Sequence, residues 1–223
     1  MSGAFQTLCI EVPAQSAQSR AMNTSWTALL IAAISAMCMA DPKETRSLTV
    51  IVRDYARLPG SSISELENVS TTLFAHAGIR LEWVHCTGHR QGPSSPECDA
   101  YLKPGTVLLR ILETRLGPPN KFGDPLGAAI VESGYASIYA SAIQKYSDHT
   151  GLSATTLMGY AVTHEIGHLL LGKDHSSWGI MRAGWGKPEF FEMARFWLNF
   201  SSSQQRALLL TIPATEPALE ASK

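Results

Sequence analysis

The sequence has no excess of charge of either sign. Its 18 lysine and arginine residues are balanced by 19 aspartate and glutamate residues, so the formal net charge is −1. A surface that binds nucleic acid or an acidic membrane carries a clear excess of basic residues. We therefore expect neither a nucleic acid nor an anionic membrane surface as a partner.

Long apolar runs and internal repeats are missing as well. The most apolar segment, TALLIAAISAMCMA at residues 27–40, has about 14 residues and is too short to cross a bilayer of roughly 30 Å as a helix. It has the length of the core of an export signal, and Cys38 and Ala40 would be the small residues before the cleavage point. The segment predicts secretion or export to the periplasm, with no membrane span once the leader is removed.

This interpretation divides the chain into three parts. Residues 1–40 are the leader, and residues 1–21 fit an over-extended start because Met22 lies just ahead of the apolar run. Residues 41–212 form one folded domain, and residues 213–223 are expected to be a disordered tail.

Cysteine is scarce, with four in the whole chain. Loss of the leader would leave only Cys86 and Cys98, which flank the polar loop TGHRQGPSSPE. In an exported protein such a pair is most simply a disulfide. Two unrelated thiols, or Cys98 as a metal ligand, remain as alternatives.

The hydrophobic pattern predicts an α+β domain. Strands are expected at residues 47–56, 79–86 and 106–113, followed by a hairpin formed by LGAAIVE and YASIYASAI. Helices are expected after a capping box at Ser62 and Glu65, over residues 153–171, and after Ser201 or Ser202. The layout predicts a mixed, twisted sheet of four to five strands, with a backing helix, a long helix and a C-terminal helix.

The long helix carries the most informative stretch, HEIGHLLLGKDH at residues 164–175. His164 and His168 are four residues apart, so both imidazoles project from one face and can reach one zinc ion. Glu165 lies beside the first histidine, where it can accept a proton from water as a general base. The alternative is a helix with solvated charges or hydrogen-bonded histidines.

Three residues beyond the helix extend this pattern. Gly172 can end the helix, because glycine accepts a left-handed conformation. His175 follows three residues later, which suits a third ligand, and Met181 lies in GIMRA, where a turn could place its thioether below the histidines.

The segment HEIGHLLLGKDH…GIM resembles the signature of the metzincin clan of zinc metallopeptidases, and bacterial exported metzincin-like proteins in particular. The resemblance implies a zincin-like catalytic domain, coarsely over residues 47–212, with one zinc ion. It assigns His164, His168 and His175 as metal ligands, Glu165 as general base, and Gly172 and Met181 as structural residues of the two turns.

The spacing departs from that signature by one residue. Strict spacing would place glycine at Leu171 and the third ligand at Asp174. The intact G-x-x-H unit favours His175, with Asp174 as the alternative third ligand. One added residue rotates the helix exit by about 100°, so the loop after the helix has to adjust.

The function implied is zinc-dependent hydrolysis of peptide bonds in protein or peptide substrates. The alternative is an exported zinc-binding protein without peptidase activity. The resemblance also implies that LGAAIVE or YASIYASA pairs with extended substrate at a sheet edge. The aromatic segment at residues 190–200 is expected mainly in the core, or else in a wall of the substrate pocket.

Overall fold

The structure of the protein is a computed structural model that describes residues 46–86, 98, 103–115 and 124–213. The predicted leader, and the predicted tail beyond Pro213, lie outside the described residues. Within the described part, no helix combines the length and the apolar character that crossing a membrane requires.

A mixed five-stranded sheet forms the centre of the domain. Its strands are β1 (Arg46–Asp54), β2 (Ile79–Cys86), β3 (Thr106–Leu112), β4 (Gly127–Ile130) and β5 (Tyr135–Tyr139). Their order across the sheet is β2-β1-β3-β5-β4. All neighbouring pairs are parallel except β4 and β5, which form the predicted antiparallel hairpin with a 3₁₀ turn at Val131–Ser133. The predicted fold class is confirmed.

Five α-helices accompany the sheet in the part of the chain that is described. They are α1 (Gly60–His76), α2 (Ala140–Thr150), α3 (Ala154–Leu171), α4 (Lys187–Met193) and α5 (Ser202–Thr211). The predicted cap of α5 is confirmed, because the Ser201 hydroxyl accepts from the backbone N–H of Gln204. The predicted capping box of α1 is wrong: α1 begins two residues before Ser62, after Pro59, without a side-chain cap.

Helices α2 and α4 were not predicted. The predicted strand YASIYASAI ends at Tyr139, and Ala140, Ala142 and Ile143 form the buried face of the first turn of α2 instead. Short apolar runs of this kind fit either a strand or a helix, so periodicity alone does not separate them. Helix α4 has seven residues and lies inside the aromatic segment, where no helical period is visible.

The core lies between one face of the sheet and helices α1 and α3. Leu48, Val50 and Val52 of β1 point into it, whereas Ile51 points to the opposite face. On that opposite face Ile51 packs with Cys86 and Cys98, which form a disulfide with their Cα atoms 5.7 Å apart.

Close packing against α1 fixes the position of α3. A Cβ atom at Gly159 of α3 would lie 2.5 Å from Cβ of Val69, so only glycine allows the two helices to approach this far. The buried Ser70 hydroxyl donates to the carbonyl of Gly159 at 3.0 Å. Helix α3 is buried from Leu157 to His168 and therefore cannot shift without disturbing the core.

Candidate metal centre

Helix α3 presents three polar side chains in an otherwise apolar environment. His164, Glu165 and His168 are each no more than 8% exposed. A buried polar side chain is costly unless a partner satisfies it. The partners of these three side chains therefore indicate the chemistry of the site.

The Nε2 atoms of three histidines converge on one point. Nε2 of His168 lies 3.0 Å from Nε2 of His164 and 3.2 Å from Nε2 of His175. All three lie within 4.8 Å of one another. Ligands at about 2.0–2.1 Å from a tetrahedral zinc ion stand apart by a little over 3 Å, so the spacing fits one ion.

The hydrogen bonds at the far side of two rings fix their tautomers. Nδ1 of His164 donates to the carbonyl oxygen of Ile180 at 2.7 Å, and Nδ1 of His168 donates to that of Gly172 at 2.9 Å. A carbonyl oxygen only accepts, so in the neutral rings Nε2 has a lone pair and no proton. Two lone pairs 3.0 Å apart repel unless a cation lies between them, and imidazole nitrogen suits zinc.

The same surroundings favour the neutral form of His164 and of His175. The pKa of His164 is lowered to about 4, chiefly because the ring is buried; the Ile180 carbonyl opposes this shift, and the neighbouring His168 and His175 add to it. Burial, followed by His168, also lowers the pKa of His175. Neutral imidazole is the form that binds metal.

The structure brings His175, and not Asp174, to the other two histidines. Asp174 is exposed and does not belong to the convergent group. The chain turns back at Gly172, with φ of +96° and ψ of −172°. This positive φ with an extended ψ differs from the left-handed cap that the sequence predicts, and it is accessible almost only to glycine. The turn directs the Gly172 carbonyl back toward His168.

Met181 packs against α3 at Gly167, the residue before His168. It is 1% exposed, and a Cβ atom at Gly167 would lie 2.5 Å from its sulfur. Gly167, one residue before His168, thus leaves space for the thioether. The turn is held by the N–H of Ser176, which donates to the Met181 carbonyl at 2.8 Å.

Glu165 points into a cleft of about 520 Å³ that it shares with the three histidines. Burial raises the pKa of Glu165 to about 8. One rim of the cleft is β4, which contributes Gly127, Ala128 and Ala129. Because β5 lies between β3 and β4, the edge strand is the one formed from LGAAIVE.

Aromatic side chains also contribute to the walls of the cleft. Tyr146, Trp185 and Phe190 line the cleft. The aromatic segment at residues 190–200 divides three ways: Phe190 lines the cleft, Met193, Leu198 and Phe200 are buried in the core, and Phe191, Phe196 and Trp197 are exposed.

Sequence reasoning missed four features of this site. The Ile180 carbonyl accepts from both His164 and the indole N–H of Trp185, at 2.7 and 3.2 Å. Gly167 and Gly127 contact Met181 and Glu165. Only Gly167 could have been found from the sequence, because a glycine between the two helical histidines indicates that another group packs closely against the helix there. The backbone carbonyl, Trp185 and Gly127 depend on contacts between segments distant in sequence.

The remaining described histidines lie elsewhere. Nδ1 of His76 is 2.8 Å from the side-chain oxygen of Asn199, His85 is 3.1 Å from Glu67, and His149 is 2.6 Å from the Lys145 carbonyl. His89 lies outside the described residues. The described ones thus have local partners of their own and do not belong to the convergent group.

Solved structures with a similar fold are described as a zinc-dependent peptidase, a metalloproteinase and an archaemetzincin. A zinc-dependent peptidase from Methanocorpusculum labreanum is 16% identical with a TM-score of 0.49, over 71% of this chain and 99% of that chain. Metalloproteinase-II from Bacteroides fragilis is 12% identical with a TM-score of 0.48, over 75% of this chain and 54% of that chain. Archaemetzincin from Methanopyrus kandleri is 15% identical with a TM-score of 0.47, over 74% of this chain and 95% of that chain.

No protein-family model and no curated protein sequence matches the chain. Because the three TM-scores are below 0.5 and the identities are low, the structural likeness carries no conclusion about activity. The function has to be inferred from the residues of the site.

Proposed function

We propose that this protein is a zinc-dependent peptidase of the metzincin type, in which His164, His168 and His175 hold one zinc ion and Glu165 is the general base. The observation that carries the proposal is the convergence of three Nε2 atoms within 4.8 Å. The two buried rings are in the tautomer that directs a lone pair to the common point.

The residues of this chain divide the work between binding and proton transfer. A zinc ion held by the three histidines would supply Lewis acidity, polarising a peptide carbonyl and acidifying water. Glu165 follows His164 on the helix and lies in the same cleft, where it would take a proton from the attacking water and return it to the leaving amine.

The substrate is proposed to be an extended peptide that pairs with β4. This strand is the edge of the sheet and forms a rim of the cleft beside Glu165. An edge strand offers backbone groups to an added strand, and main-chain pairing does not require a chain end. We therefore propose endopeptidase activity. Separately, we propose that the protein is exported through its N-terminal leader.

A retained base distinguishes this proposal from a zinc-binding protein without activity. A purely structural zinc site is closed by four protein ligands. Among the described residues the convergent group has three members, and a carboxylate lies in the cleft beside them.

The test combines zinc analysis with peptide cleavage. Wild type, Glu165→Gln and the exposed control Glu65→Gln are expected to contain about one equivalent of zinc. Wild type and the control should cleave casein or a peptide library, and Glu165→Gln should be slower by about 10²- to 10⁴-fold. Wild type without zinc would refute the proposal. Zinc retained with no cleavage by wild type would favour the inactive zinc-binding protein.

A further inference from the structure

The side chain of Glu165 packs against the edge strand at a position that has no side chain of its own. A Cβ atom placed on Gly127 would lie 2.7 Å from Cγ and 2.7 Å from Oε1 of Glu165. It would also lie 2.8 Å from the carbonyl oxygen of Ser137. Carbon atoms in van der Waals contact are normally about 3.5–4.0 Å apart, so even a methyl group does not fit.

Neither neighbour of this position can simply retreat. The Ser137 carbonyl belongs to β5, which is paired with β3 on one side and β4 on the other. Glu165 projects from a buried part of α3. The atoms closest to the added Cβ are Cγ and Oε1 of Glu165, so the overlap involves the middle of the side chain as well as its carboxylate end. Relief of the overlap with Glu165 therefore requires this side chain to change its rotamer and leave its place in the cleft, whereas relief of the overlap with the Ser137 carbonyl requires a small shift of the strand backbone.

The requirement for glycine comes from this contact and not from the backbone. Gly127 is not among the glycines with positive φ, so its conformation is open to any L-residue. Sequence position 127 could accommodate alanine in an isolated strand, since the strand continues with Ala128 and Ala129. Only the approach of Glu165 and the β5 backbone excludes it.

We propose that Gly127 is a positioning residue for Glu165: the bare backbone of the edge strand holds the carboxylate in the orientation needed for proton transfer. The proposal rests on the role of Glu165 as general base. It places Glu165 in direct contact with β4, the strand proposed to pair with the substrate. The same strand would then position both the base and the substrate.

The contact itself is tested by stability, without reference to activity. Gly127→Ala is expected to lower Tm by about 3–10 °C, the range for an overpacked residue in a domain of this size. In a Glu165→Ala background only the overlap with the Ser137 carbonyl remains, so the same substitution should lower Tm by clearly less. Equal decreases in the two backgrounds would show that Glu165 is not displaced and would overturn the proposal.

The consequence for the base is tested by kinetics with a matched control. Gly127→Ala should retain about one equivalent of zinc and a KM within about twofold, while kcat falls by about 10- to 100-fold because the carboxylate is displaced. Gly60→Ala serves as control, because Gly60 begins α1 and its added Cβ would contact no atom within 4 Å.

The two proposals fail in different ways. If Gly127→Ala shows the coupled Tm decrease but an unchanged kcat, Glu165 moves without consequence and the positioning role is wrong. If wild type cleaves no peptide at all, the proposed function fails, while the comparison of Tm values still decides whether Gly127 holds Glu165.

Discussion

Glutamine at position 165 is expected to stabilise the metal-free protein, and the gain should increase with pH. The substitution keeps the size of the side chain and removes its charge. Glu165 is 8% exposed, and burial raises its pKa from the ordinary value of 4.5 to about 8. The folded protein therefore retains a proton on this residue over a pH range in which the unfolded chain has lost it.

The sign and size of the effect follow from proton linkage. Between pH 4.5 and pH 8 the folded state binds one proton more than the unfolded state, so the free energy of unfolding decreases as pH rises. At about 1.4 kcal/mol per pH unit, the decrease attributable to Glu165 reaches roughly 4 kcal/mol at pH 8. Glutamine does not titrate, so Glu165→Gln should escape this loss.

Urea denaturation of zinc-depleted protein measures the difference. At pH 5 wild type and Glu165→Gln should agree within about 1 kcal/mol, and at pH 8 the variant should be more stable by about 4 kcal/mol. Effects of the histidines on the pH dependence are common to both proteins and cancel. Removal of zinc is essential, because a nearby cation favours the carboxylate.

An exposed glutamate provides the control for this experiment. Glu65→Gln on α1 is expected to change stability by less than about 0.5 kcal/mol at both pH values. If the difference between wild type and Glu165→Gln were the same at pH 5 and pH 8, the carboxylate would not be desolvated as the structure indicates, and the reasoning would be refuted.

Three further outcomes are expected. His175→Ala should weaken zinc binding by at least 100-fold, whereas Asp174→Ala should change it by less than about tenfold, and the reverse order in a zinc titration would assign the third ligand to Asp174. Serine at both disulfide cysteines should lower the free energy of unfolding by roughly 2–3 kcal/mol, measured by urea denaturation, and no change would contradict a bridged pair. Gly167→Ala should destabilise the protein by about 1–2 kcal/mol, because overlap with the Met181 sulfur outweighs the better helix propensity of alanine, and a more stable variant would show that Met181 can move aside.

The parts of the fold that could be predicted from sequence depend on local patterns. The alternation in IRLEWVHC predicts β2 with its bounds, Ile79–Cys86, and the proline-free stretch before Gly172 predicts α3 within one residue. The cap at Ser201 is equally local. In each case the signal and the structure it specifies lie within about 20 residues of each other.

What escaped prediction depends on tertiary contacts. The alternation ending at Tyr139 does not reveal that the chain becomes helical at Ala140, because that change depends on what the side chains pack against. Gly127 looks like an ordinary residue of a small-residue strand until Glu165, 38 positions later, is placed beside it. The acceptor for His164 is a backbone carbonyl at Ile180, and a carbonyl leaves no mark in the sequence.

The extra residue between His168 and Gly172 illustrates how a helix end can absorb a change in spacing. One added residue advances the exit from α3 by about 1.5 Å and rotates it by about 100°. A left-handed cap would continue that rotation, whereas φ of +96° with ψ of −172° at Gly172 extends the chain immediately. The carbonyl of Gly172 then faces back to accept from Nδ1 of His168, and His175 reaches the common point three residues later. The glycine is required for this path because its φ is closed to other residues, so the distance that matters is from Gly172 to His175 and not from His168 to His175.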